Sequence, residues 1–178
     1  MRDTFVRDIK KLCLDFPKCN IILKPHPLEG ASFYNKINIK NFYLIDNSTF
    51  NDVVNSIDLA IYLHSTVATE CWINNIKTLQ YRPRNKHKNV LSEFTPGNPV
   101  YYSYLDLRNG ISRYLVRKLE KKYIFYQKKY LKLCYYKIDG LSVKRIVTRI
   151  NKILRNNSKK TPNYIFVTSK IFYMFIIA

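Results

Sequence analysis

Apolar residues recur along this chain with two different periods, and the switching between them sketches an α/β protein. Phe5, Ile9, Leu12 and Phe16 fall at helical spacing, with Arg7, Lys10 and Lys11 on the other side. That pattern predicts an amphipathic first helix, stopped at Pro17. Asn20–Lys24 is almost continuously apolar and β-forming, which suits a strand covered on both faces of a parallel sheet. Pro25-His26-Pro27 ends it, because proline donates no ladder hydrogen bond. Phe42–Ile45 predicts a second strand, closed by Asp46-Asn47-Ser48. Phe50–Ile57 reads as a short helix capped by Ser48 or Thr49, and Asp58–Leu63 as a third strand. Ser65 or Thr66 starts a helix running through Trp72, and Lys77–Tyr81 is a fourth strand. Strand and helix alternating at this spacing predict an α/β fold, a Rossmann-like layered parallel sheet.

Past the fourth strand the pattern changes. Arg82–Val100 is polar and punctuated by Pro83, Pro96 and Pro99, predicting a long loop over the sheet edge. Ile111, Leu115, Leu119, Tyr126, Tyr130 and Leu133 mark one face of a long helix expected between Asn109 and Lys137. Asp139-Gly140 breaks it, and Leu141–Leu154 forms a further helix with Val143, Ile146, Val147, Ile150 and Leu154 inward. The organisation expected is a Rossmann-like nucleotide-binding core at 1–107, a basic helical region completing the domain at 108–155, and a linker with an apolar tail at 156–178.

Charge sharpens this picture. The chain of 178 residues carries a net +19, and residues 91–178 hold 18 of the 31 basic side chains but only 4 of the 12 acidic ones. An excess of that size points to an anionic partner such as nucleic acid, a nucleotide or a phospholipid surface. A general bias toward Lys, Asn, Ile and Tyr accounts for part of it. Cys13, Cys19, Cys71 and Cys134 form no Cys-x-x-Cys pair and have no His at metal spacing, so they read as buried or half-buried thiols in a reducing compartment. Met1–Phe16 has no uninterrupted apolar core and is not expected to be a signal peptide. The tail Tyr164–Ala178 is apolar apart from Lys170 and a few hydroxyls, but shorter than the ~20 residues a spanning helix needs.

Ligands of open α/β sheets bind outside the carboxyl ends of the strands, and three segments fall there. In Lys24-Pro25-His26-Pro27 the prolines stiffen the backbone, so His26 is held ready to donate to a phosphate oxygen beside the charge of Lys24. The alternative is a histidine that merely satisfies a loop carbonyl, but prolines on both sides at a strand end favour the functional reading. In His64-Ser65-Thr66-Val67-Ala68-Thr69-Glu70 a strand runs into a helix through two hydroxyls, offering an anion cradle. An ordinary N-cap explains the same residues. Glu70, with no capping-box role, is placed to accept from a ribose hydroxyl pair. Asp46-Asn47-Ser48 is a candidate for flanking the base, though turn formation accounts for it equally well.

Ile22–Pro27, Ser56–Ile61 and His64–Glu70 together resemble the C-terminal half of GT-B-fold transferases of surface carbohydrate and capsule biosynthesis. Similar groups are capsule Kdo transferases, bacterial polysialyltransferases and CDP-glycerol glycerophosphotransferases. The likeness spans about residues 1–155, including Ile138–Ser142 with Arg145-Ile146. It implies that His26 and Pro27, with Ser65 and Thr66, hold the phosphates of a nucleotide-activated sugar or alcohol, and that Glu70 binds ribose or donor sugar. His26 is the one catalytic candidate. No cofactor or metal is expected beyond the donor substrate itself. The resemblance also implies a missing N-terminal GT-B domain carrying the acceptor site and the catalytic base, the chain being either a fragment or one subunit of an enzyme split with a neighbouring polypeptide. One departure is Asn74-Asn75, where the family has a glycine after the Glu70 helix; asparagine tolerates the left-handed conformation such an end needs. The location expected is cytoplasmic, with the basic helices at 108–155 either resting on an anionic membrane surface or forming an ordinary solvated face. Two alternatives stay open: a basic α/β domain that binds nucleic acid through charge and tyrosine stacking, and half of a UDP-sugar 2-epimerase-like enzyme.

Overall fold

The first predicted helix forms in the computed structural model, which describes residues 2–25, 30–45, 49–63, 65–83 and 94–157. Helix α1 (Arg2–Asp15) carries two buried stripes that serve different neighbours. Ile9 and Cys13 pack with Tyr34 and Ile37 over strands β1 (Ile21–Leu23) and β2 (Phe42–Leu44). Leu12 joins Leu79, Tyr81, Leu107, Ile111 and Tyr114 in a second cluster. The helix end is held by Asn41, whose side-chain amide donates toward the carbonyls of Cys13, Phe16 and Cys19 at 2.9–3.1 Å.

β1 and β2 pair in parallel, Ile21 opposite Phe42. Contrary to the expectation of a strand covered on both faces, Ile22 is 38% exposed and Tyr43 48%. Among the described residues these two strands make a sheet of their own, and α1 covers one face of it.

The second sheet has order β3-β4-β5, all parallel, from Leu59–Tyr62, Lys77–Tyr81 and Val100–Tyr101. β5 begins at the last residue of the segment expected to be loop. Its pairing comes from β4, with the Gln80 and Arg82 amides donating to the Pro99 and Tyr101 carbonyls at 2.9 and 2.8 Å. Helix α2 (Phe50–Val53) precedes β3, with Thr49 and Asp52 forming a capping box. Helix α3 (Val67–Ile73) links β3 to β4. It ends as its asparagines predict: Asn75 takes φ 58°, and the Ile76 amide reaches back to the Cys71 carbonyl at 2.9 Å. β4 is covered on both faces. Leu79 and Tyr81 face α1 and α4 (Tyr104–Val116), while Thr78 and Gln80 face the side of Trp72 and Thr95, and none of the four is more than 2% exposed.

The long helix expected at 109–137 is two helices, α4 and α5 (Lys121–Cys134). The chain breaks because Arg117 is extended and Leu119 turns into the core, 8% exposed. Glu120 locks the turn: the Tyr114 hydroxyl donates to its two carboxylate oxygens at 2.8 and 2.6 Å, and Arg113 pairs with it at 3.0 Å. Lys77 donates to the Tyr114 carbonyl at 2.5 Å, where a cation suits the last turn of α4. Burial alone would raise the Glu120 carboxyl, but the bonds from Tyr114 and its own backbone, with the charge of Arg113, hold it below the usual range. A carboxyl depressed on folding adds stability above its unfolded value of about 4.3, and that contribution fades as pH falls through the folded value. Urea denaturation should therefore show stability declining below about pH 4.3, with Glu120→Gln flattening the decline. The exposed setting limits the effect to under about 1 kcal/mol.

The chain divides into a first unit, Met1–Cys134, and a second, Tyr135–Ala178. α4 and α5 thus belong with the sheets, and α6 (Ser142–Asn157) lies in the second unit. None of the described helices is long and apolar enough to cross a membrane.

Candidate functional site

Parallel pairing brings the carboxyl ends of β3, β4 and β5 to one edge, where loops can present polar groups without interrupting the ladder. Ser65 and Thr66 follow β3 there. The Ser65 hydroxyl accepts from the Val67 amide at 3.2 Å, so its oxygen caps the helix start, and a hydroxyl that accepts in this way can still donate its proton. Thr66 is exposed, and its carbonyl accepts from the Thr69 hydroxyl at 2.8 Å. Glu70 is exposed one turn into α3. With seven residues, α3 is too short for its dipole to carry an anion site, so hydroxyls and nearby cations must do that work.

Lys24 sits half-buried one residue beyond β1, and Pro25 behind it is buried. His26, Pro27, Asp46, Asn47, Ser48 and His64 lie outside the described residues. No hydrogen bond or ion pair joins Lys24, Ser65, Thr66 and Glu70 to one another among the described residues.

Behind this edge lies a buried polar network that the sequence did not suggest. Gln80 donates to the Leu63 carbonyl at 3.0 Å, tying β4 to the loop that carries Ser65. Thr95 donates to the Gln80 side-chain oxygen at 2.9 Å. Asn98 donates to the Tyr62 hydroxyl and the Phe94 carbonyl, both at 2.6 Å, and its oxygen accepts from Thr78 and the Trp72 indole. Trp72 also donates to Thr78 at 2.9 Å, and Phe94 and Tyr130 meet its ring edge-on. Gly97 leaves room for that ring, since a Cβ there would lie 2.6 Å from Trp72 Cζ2. Cys71, fully buried beneath, has its thiol pushed up to about 12 by burial and then by the Glu70 charge, so it stays protonated and is no nucleophile.

Arg82 was not singled out from the sequence. It directly follows β4, is only 8% exposed, and its Nη1 atom is buried with no hydrogen-bond partner among the described residues. A desolvated guanidinium donor without an acceptor is costly, and an anion at this edge would relieve it. The sequence hides it among Arg84, Lys86 and Lys88 in one basic run. Beyond β5 a shallow cleft of about 300 Å³ is lined by residues including Tyr101, Tyr102, Asp106, Asn109 and Arg113. It contains none of Lys24, Ser65, Thr66 and Glu70. Of the thiols, Cys13 and Cys71 are buried, Cys19 is half-buried and Cys134 is exposed, and all are free. Among the described residues no three His, Cys, Asp or Glu side chains gather as a metal site.

Compared with protein-family models, with curated proteins and with solved structures, the chain matches none.

Proposed function

We propose that this chain binds the donor nucleotide of a GT-B-like transferase that acts in surface polysaccharide synthesis. The observation that carries this reading is the buried Nη1 of Arg82, which has no hydrogen-bond partner among the described residues and follows β4 at the same sheet edge where Ser65 and Thr66 follow β3. Two hydroxyl donors and a desolvated cation are what a diphosphate requires, and Glu70 one turn further on suits a ribose or sugar diol. Lys24 and His26, leaving β1, supply the remaining positive charge in this reading. The chemistry is electrostatic: these groups stabilise the nucleotide phosphate as the bond to the transferred group breaks. The proposal covers the donor side alone.

Tyr34, Tyr62, Tyr81 and Tyr114 are each at most 8% exposed and so closed to nucleic-acid stacking, whereas Tyr43, Tyr102, Tyr135 and Tyr136 are 37–84% exposed and are the ones that reading would use. Isothermal titration of the folded protein with CDP, CMP and UDP tests the reading. A diphosphate should bind at least about 10-fold more tightly than CMP, the second phosphate adding one charge-assisted contact of roughly 1.5–3 kcal/mol. No binding of any nucleotide to folded protein removes the proposal. Strong, salt-steep binding to single-stranded nucleic acid instead, unchanged by His26→Ala, would favour the nucleic-acid reading.

A further inference from the structure

The second unit opens on a turn built to start a helix. Gly140 takes φ 70°, and Asp139 accepts from the Leu141 amide at 3.0 Å. Arg145 holds both Asp139 oxygens at 2.8 Å and also donates to the Ser142 hydroxyl at 3.1 Å. From there α6 runs for 16 residues, a rod of about 24 Å. Placed at 100° per residue, Val143, Ile146, Val147, Ile150, Ile153 and Leu154 fall within an arc of about 120°. Lys144, Arg145, Arg149, Lys152 and Arg155 fill the rest, and the helix holds no carboxylate. All six apolar side chains are 48–72% exposed.

We propose that α6 is an interfacial helix that lays this aliphatic stripe into an anionic phospholipid surface. Charge decides among the occupants. A second copy meeting stripe to stripe would bring the basic flanks of two helices together, and α6 itself contributes no acid to offset them. Nucleic acid would use the cations but leave an aliphatic stripe with nothing to stack on. A membrane of acidic lipid satisfies both faces: acyl chains take the stripe and headgroups take the flanking cations. Helix α5, in the first unit, repeats the composition by itself. It contains Lys121, Lys122, Lys128, Lys129 and Lys132 and no acid, with Phe125 71% and Leu133 75% exposed. The sequence at 164–178 adds a second apolar segment, interrupted by Lys170 alone among charged residues. Two such signals are what lasting peripheral attachment needs.

Sedimentation of the full chain with vesicles of phosphatidylcholine alone, or mixed with phosphatidylglycerol, tests this. Binding should be strong only with the acidic lipid and should weaken with salt. Replacing Lys144, Arg149 and Lys152 together by Gln should weaken it about 100-fold, each charge near an anionic surface being worth close to fivefold. Ile146→Asp with Ile150→Asp should abolish it while thermal unfolding and gel-filtration behaviour stay unchanged. Equal binding to neutral and acidic vesicles, or binding indifferent to the Asp pair, overturns the proposal. So does an Asp pair that splits a dimer or lowers the unfolding temperature, which would make the stripe a protein-packing face.

Discussion

Asn98→Ala should lower the unfolding free energy by about 3 kcal/mol and the Tm by roughly 6–12 °C. Asn98 is 2% exposed, and both ends of its amide are in use. Its nitrogen donates to the Tyr62 hydroxyl and the Phe94 carbonyl, and its oxygen accepts from Thr78 and Trp72. Alanine leaves the largely buried Tyr62 hydroxyl without its donor and opens a cavity in a packed layer, and the two costs add. The Phe94 carbonyl keeps a bond from the Gly97 amide at 3.0 Å, and Trp72 keeps Thr78, which prevents a larger loss. Thermal and urea denaturation give the number. A loss below about 1 kcal/mol would mean that the network is not what fixes the 94–98 turn to β4.

That network also marks where the sequence stops being legible. α1 was readable because its 3.6-residue period is set by burial on one side only, and the asparagine end of α3 because left-handed backbone restricts the residue choice. Lys77-Thr78-Leu79-Gln80-Tyr81 looks like a strand wet on one face, yet Thr78 and Gln80 are fully buried. Their partners Trp72, Thr95 and Leu63 come from three other segments, and local pattern carries no trace of such pairing. β5 escaped for a similar reason. Two residues after Pro99 are a strand only because β4 offers its amides. The break between α4 and α5 is likewise tertiary, since Leu119 keeps the helical period but is pulled inward while Glu120 is gripped by Tyr114 and Arg113.

The candidate site divides along the same line. Ser65, Thr66 and Glu70 stand out in the sequence because a strand-to-helix junction is a local motif, and the structure has Ser65 and Thr66 between β3 and α3 with Glu70 one turn into α3. The same logic points to Lys24, which follows β1 in the other sheet. Arg82 is different in kind. Nothing in an Arg-Pro-Arg run tells which arginine is desolvated. Burial and an empty hydrogen-bonding direction had to be seen in three dimensions.

Arg82→Met should have two effects of opposite sign, and the pairing of signs is what makes it decisive. In the unliganded protein the substitution removes a buried charge whose Nη1 has no acceptor among the described residues and replaces it with an apolar chain of similar length. Such replacements are neutral or stabilising, and a gain of about 1 kcal/mol is expected. With a nucleoside diphosphate present the balance reverses, because the lost partner is a desolvated cation facing an anion. Affinity for CDP or UDP should fall at least about 30-fold, equivalent to roughly 2 kcal/mol. Arg82→Lys should lie between: it keeps the charge but loses the planar fork that can hold two phosphate oxygens at once. Denaturation of the apo protein and titration with nucleotide read the two effects separately. If Arg82→Met destabilises the apo protein and leaves nucleotide affinity unchanged, the guanidinium belongs to the core and not to a ligand. The donor site would then rest on Lys24, His26 and the two hydroxyls.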